Sequence, residues 1–341
     1  MLSPNTPSAV AYRRTMNLLG WSLLIFLGLF YNLTTIEAFV FSFIPAGKAS
    51  TALQGVVSSA FYMAPFIAGG AVFYVFNRKT PTQPIRFEPK LPAVSPLLIM
   101  AGLAMITAAA YVNSWFCDLI GYSIPPELII PQDYDDPAMV IMYMTIALAP
   151  AFAEEFLFRG VIYGNLRPFG KTQAILISSI LFALMHQNIQ QFFYTFVGGI
   201  AMALMYELTG NIWCGVIFHM FNNELAVLTE ALYNGKYGEA VAPLLLLWDA
   251  LVLILGSISI ILLILYYRRK AIEARESGEK DPSVFGRHGH TDVDVYDQPV
   301  DRNTLIRGLK APGMLVFAIA AVGSAVATYF AILFGVLEAF L

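Results

Sequence analysis

The chain has 341 residues, of which 58% are hydrophobic and 13% charged, with a net charge of −3 and a mean hydropathy of +0.66. The charged share is about half that of a soluble domain, which excludes an ordinary water-soluble fold. No basic stripe interleaved with aromatics is present, which argues against a nucleic-acid partner. Cys117 and Cys214 stand far apart without metal-type spacing, so neither a disulfide framework nor a cysteine-based zinc site is expected.

Apolar blocks of bilayer-spanning length follow one another at roughly 17–43, 53–76, 92–117, 139–163, 172–188, 190–207, 211–233, 241–267 and 311–339. The expected fold is therefore all-α, a polytopic transmembrane helical bundle of about 8–9 spans. Arg13-Arg14 before the first block mimics an export signal, but no small-residue cleavage site follows, so a retained first helix is expected. Basic residues gather after the second block (Arg78, Lys79, Arg86, Lys90), after the fourth (Arg167, Lys171) and after the eighth (Arg268, Arg269, Lys270). The segment from Asp118 to Asp136, after the third block, holds five acids and no Lys or Arg. Alternation of these loops puts the N-terminus in the cytoplasm and, for nine spans, the C-terminus outside.

The links at Pro168–Gly170 and Thr209–Asn211 are too short for anything but antiparallel neighbours. Three regions follow: N-terminal helices over 1–138, a central four-helix core over 139–235, and C-terminal helices over 236–341. The last region carries a polar insert, 268–310, expected as a mobile cytoplasmic linker. Within it, His288, His290, Asp292 and Asp294 read as a solvated loop rather than a metal site.

The core is where polar chemistry enters apolar runs: Glu154-Glu155-Phe-Leu-Phe-Arg159, Phe182-Ala-Leu-Met-His186 and His219-Met-Phe-Asn222-Asn223. Each such group is costly in hydrocarbon unless it is paired or faces a cavity, so the set reads as a buried catalytic or ion-handling site. Glu155 and Arg159 have the i,i+4 spacing and order of an ion pair, which leaves Glu154 as the chemically active carboxylate. Pro150 deletes a helical hydrogen bond one turn earlier and is expected to kink the span. Counted from the Pro168–Gly170 turn, Glu154 and His186 both lie roughly 22–25 Å up antiparallel helices, at one level. His219 and Asn223 share a helix face at a comparable depth.

Peptide hydrolysis needs such a set. A carboxylate and an imidazole, Glu154 and His186, would take a proton from water. An imidazole N–H and an amide, His219 and Asn223, would donate to the developing oxyanion. Phe182, one turn before His186, is expected to orient that ring, whereas Asn222 points aside as a packing residue.

The order Glu-Glu-x-x-x-Arg, Phe-x-x-x-His, His-x-x-x-Asn over about 150–225 resembles the CPBP family, whose eukaryotic members are the type II CaaX prenyl endopeptidases (Rce1-like). The resemblance implies an integral, multi-pass intramembrane endopeptidase that cleaves a membrane protein or a lipidated peptide within the bilayer. It implies that Glu154 and His186 activate water, that His219 and Asn223 bind the oxyanion, and that Glu155 and Arg159 support them; the residues themselves favour a mechanism with no cofactor. A zinc-dependent version, with Glu154, His186 and His219 as ligands, stays open, although no His-Glu-x-x-His helix is present. A proton-coupled transporter using the same buried cluster is a further alternative, but only one cluster exists and no second half repeats it.

Overall fold

A chain immersed in hydrocarbon must satisfy its peptide groups within itself, and this one does so in helices. The computed structural model describes residues 7–43, 51–77, 80, 84–122, 143–234, 238–277 and 300–333. In chain order the helices are α1 (Pro7–Ser42), α2 (Thr51–Phe76), α3 (Ser95–Leu119), α4 (143–169), α5 (Lys171–Met185), α6 (Ile189–Thr209), α7 (Ile212–Asn234), α8 (Ala242–Glu276), α9 (Arg302–Leu309) and α10 (Pro312–Leu333). No strand occurs among the described residues, and the all-α expectation stands.

Each of the nine apolar blocks overlaps a helix, yet among the described residues six helices are long and apolar enough to cross a membrane by length and composition: α1, α2, α3, α6, α8 and α10. The three that fall short are the core helices that carry the polar motifs. α5 has 15 residues, α7 holds His219, Asn222, Asn223 and Glu224, and α4 is not a uniform α-helix. The motifs thus lower the apolarity and regularity of the segments that hold them.

α4 passes through a π stretch (Tyr143–Leu148), an α stretch (Ala149–Glu155) and a second π stretch (Phe156–Tyr163), then closes in a short α turn and a 3-10 turn at Arg167–Phe169. Pro150 lies inside this continuous helical run, where it supplies no N–H to the preceding π stretch, and the irregular turns fall on either side of it. Asn165 Nδ2 donates to the Val161 carbonyl at 2.8 Å, using a side chain where the widened ladder has altered the backbone pairing.

Two glycines make the core turns. Gly210 adopts a left-handed conformation (φ 62°) after α6, and Gly170 takes φ 143° before α5, positions that side-chain-bearing residues rarely occupy. α6 lies between α5 and α3: a Cβ on Gly199 would stand 3.0 Å from Ser179, and one on Gly198 would stand 2.8 Å from the Ile106 side chain. α4 packs against α2, α5 and α7, while α3 packs on α6 and α8, and α1 on α2 and α10.

The 268–310 insert is shorter than expected. α8 continues to Glu276, and α9 is already helical at Arg302, because the backbone of Val300 donates to the Phe169 carbonyl at 3.0 Å and docks the chain on the α4–α5 turn. His288, His290, Asp292, Asp294, Arg78, Lys79, residues 123–136 of the acidic segment and the expected boundaries at 138 and 235 lie outside the described residues.

Near that same turn, Glu207 of α6 is 4% exposed and accepts from Arg167 Nε at 2.8 Å and Nη2 at 3.0 Å, and also from the Tyr163 hydroxyl. Removing one member of a buried, doubly bonded pair strands the other charge. Glu207→Ala is expected to cost about 3 kcal/mol of stability, read as a lowered thermal unfolding midpoint in lipid nanodiscs. Arg167→Ala combined with Glu207→Ala should recover part of that loss. A single variant as stable as wild type would show that the pair does not clamp α4 to α6.

Candidate active site

The site grows from the end of the α stretch of α4. Glu155 is fully buried and pairs with Arg159 Nη1 at 2.8 Å, the i,i+4 contact the spacing predicts. Arg159, itself 1% exposed, is held by two further contacts that its position in the sequence does not announce. Its Nη2 donates to the Gly199 carbonyl of α6 at 3.2 Å, and its guanidinium carbon stands 4.5 Å over the Phe182 ring of α5. One cation therefore ties α4, α5 and α6 together with a charge-assisted bond and a cation–π contact.

Phe182 does more than orient His186. Its ring meets His186 edge-on at 5.0 Å and His219 at 5.8 Å, with Phe158 of α4 at 5.2 Å on another side. The aromatic is thus the common floor beneath both imidazoles and the guanidinium.

His186 caps the C-terminus of α5 instead of lying inside a span, and its Nδ1 is 3.0 Å from the Phe182 carbonyl. A carbonyl only accepts, so Nδ1 carries the proton and Nε2 of the neutral ring presents a lone pair. The next residue, Gln187, has φ 56°, a left-handed conformation that turns the chain sharply, and it accepts from the Tyr31 hydroxyl of α1.

His219 comes between the two consecutive carboxylates. Its Nδ1 is 3.4 Å from Glu155 Oε1 and its Nε2 is 3.8 Å from Glu154 Oε2. Glu154 and Glu155 leave the helix in different directions, as consecutive residues must, yet one ring on a facing helix reaches both. α7 approaches closely enough because position 215 is glycine: a Cβ there would stand 2.8 Å from Glu155 Oε2.

Glu154 is 3% exposed. Its Oε1 accepts from the Tyr62 hydroxyl of α2, whereas Oε2 is buried without a hydrogen-bond donor among the described residues. Asn223 is one turn beyond His219 on α7, and its Nδ2 donates to the Ile146 carbonyl of the first π stretch at 3.0 Å. Asn222 donates to Asn223 Oδ1 at 3.3 Å, a buttressing contact rather than a role in packing alone.

The expected residues Glu154, Glu155, Arg159, His186 and His219 are therefore gathered around Phe182, with Asn223 anchored beside them on α7. Tyr62, Gly215 and the contact of Arg159 with the Gly199 carbonyl escaped the sequence reading. A tyrosine in an apolar helix and glycines in a small-residue run carry no signal of their partners. Among the described residues no three His, Cys, Asp or Glu side chains are arranged to hold a metal ion.

Comparison with known proteins gives two findings. Residues 136–225 match the family described as type II CAAX prenyl endopeptidase Rce1-like. A protein named "Putative membrane peptidase YdiL", from Bacillus subtilis (strain 168), is 28% identical over 96 residues, which cover 27% of this chain and 38% of that protein. The chain thus aligns with well under half the length of this relative. No solved structure matches. All three motifs lie inside the segment that is similar to the Rce1-like family, and the chain is an integral, multi-pass membrane protein.

Proposed function

We propose that the chain is an intramembrane endopeptidase that hydrolyses a peptide bond of a membrane-associated protein, with Glu154 and His186 activating water. The observation that carries this reading is the state of Glu154. One oxygen is held by Tyr62, while the other is buried, unbonded among the described residues, and faces an imidazole nitrogen across 3.8 Å. A gap of that length is too long for a direct bond, and a water seated beside it would be within reach of both groups. Glu154 Oε2 would accept the proton as that water attacks the scissile carbonyl, and the His186 Nε2 lone pair would share the proton transfer.

His219 and Asn223 are the proposed oxyanion donors. With Nδ1–H directed at Glu155, His219 can donate through Nε2 only as an imidazolium. Two carboxylates, Arg159 and that imidazolium then balance in charge, as a buried cluster requires. Asn223 has a second Nδ2 hydrogen beyond the one given to Ile146. Glu155 and Arg159 hold the frame. The steps proposed here are carried by these side chains, and the zinc-dependent alternative is decided by the chelation experiment below.

The relative's name speaks of a membrane peptidase and the family of prenyl endopeptidases. Substrates here are proposed as membrane-associated proteins or lipidated peptides, without assigning prenylation. We place the N-terminus in the cytoplasm on the distribution of basic residues. The basic turn at Arg167 and Lys171 then faces inward, and His186, at the other end of a 15-residue helix, lies about 22 Å away, beyond the bilayer midplane. Cleavage would occur in the outer half of the membrane.

Glu154→Ala and His186→Ala are each expected to abolish cleavage while leaving abundance and folding intact. Comparative membrane proteomics of wild type against Glu154→Ala should reveal a protein that accumulates uncut, and identical proteomes would sink the reading. Asn223→Ala should lower kcat by about 10²–10³, as loss of one oxyanion donor does, and keep measurable activity. Wild-type protein stripped by a strong chelator should cleave its substrate at the untreated rate. Loss of activity restored by zinc would instead establish the metal-dependent alternative.

A further inference from the structure

The segment that carries the three motifs does not complete the site, because α2 reaches into it from outside. Tyr62 donates its hydroxyl proton to Glu154 Oε1, across 92 positions of sequence and from a helix that lies wholly before the matched residues 136–225. The tyrosine is itself fixed. Its ring stacks on Phe66 at 5.3 Å and meets Phe30 of α1 edge-on at 5.7 Å, and Phe66 packs on Phe26 at 4.7 Å. Phe66 and Phe26 are both almost fully buried, so the ring lattice gives Tyr62 little freedom to turn. Pro65, three residues on, removes a backbone N–H from α2 beside this lattice.

A carboxylate has two equivalent oxygens and rotates freely about its last torsion unless one oxygen is engaged. Here Oε1 is engaged and Oε2 is left toward His219. The contact runs from the Tyr62 hydroxyl to the carboxylate oxygen. We infer that Tyr62 is a positioning residue for Glu154: it fastens one carboxylate oxygen so that the other is aimed at the reacting water. This rests on the peptidase reading for its catalytic consequence, though not for the contact itself. It also implies that the motif-bearing core needs α2 to work.

Two measurements on the purified full chain in lipid nanodiscs test the inference. Tyr62→Phe keeps the aromatic lattice and deletes the donor. Infrared difference spectra between each protein and its Glu154→Gln derivative isolate the Glu154 carboxylate band, with no substrate needed. That band should shift between wild type and Tyr62→Phe, and an unmoved band would overturn the inference. On the protein found to accumulate in Glu154→Ala membranes, Tyr62→Phe should lower kcat about tenfold, in line with loss of a hydrogen bond to a charged group, with KM unchanged. A thermal unfolding midpoint equal to wild type accompanies a positioning role, whereas a loss of stability in step with activity would reveal a purely structural one and overturn it. If Glu154→Ala retains full activity, the peptidase reading fails. If Glu154→Ala is inactive while Tyr62→Phe cleaves normally, the inference alone fails.

Discussion

Two carboxylates on consecutive residues, 3% and 0% exposed, are a heavy electrostatic load for the interior of a membrane protein, and the Glu155–Arg159 pair is what makes them tolerable. The pair is more than a local i,i+4 contact, because Arg159 spends its remaining faces on the Gly199 carbonyl and the Phe182 ring. The cation that neutralises Glu155 is thus the same group that fixes the spacing of α4, α5 and α6. His219 then closes the arrangement from α7, with one nitrogen toward each carboxylate. Charge balance and helix packing are here one constraint.

That coupling explains where the small residues fall. Gly199 lets α6 meet α5 at Ser179 and offers its carbonyl to Arg159, and Gly215 leaves room for Glu155 Oε2 against α7. A side chain at either position would separate helices whose closeness the ion cluster needs. In lipid there is no hydrophobic force to press helices together, so close backbone approach and interhelical polar contacts have to supply the association.

Much of this was legible in the sequence, for reasons that differ from residue to residue. The apolar blocks announced nine of the helices, since a spanning segment must be both long and apolar. The i,i+4 spacing of Glu155 and Arg159 foretold their pair, because helix geometry alone fixes it. The two short links predicted antiparallel neighbours, and Gly170 and Gly210 make those turns. Contacts between segments far apart in sequence were not legible. Nothing in the run around Tyr62 says that its hydroxyl ends at Glu154, and nothing around Phe182 says that it lies beneath Arg159. The extent of the polar insert was also misjudged, since composition marks solvation but not helicity: α8 simply continues past the apolar block to Glu276, where its last two turns, exposed apart from Ala271 and Ala274, carry the Arg269–Glu273 pair.

The peripheral and central helices divide the work. α8 runs through 35 residues and turns Leu244, Leu247, Leu251, Ile254, Ile258 and Ile261 outward, as a helix facing lipid should. Irregular backbone is concentrated around the polar cluster instead: π stretches on both sides of Ala149–Glu155, Pro65 beside Tyr62, and Gln187 in a left-handed conformation after His186. Hydrocarbon tolerates broken hydrogen-bond ladders only where protein or a cavity covers them, so irregularity and polarity are driven to the same place. The second π stretch begins at Phe156, directly after the two glutamates. A wider turn changes the angle at which everything beyond it leaves the helix, Arg159 included. A uniform α-helix through 154–163 would set Arg159 at a different rotation relative to Phe182 and Gly199, and the cation would lose the contacts that let it hold three helices at once.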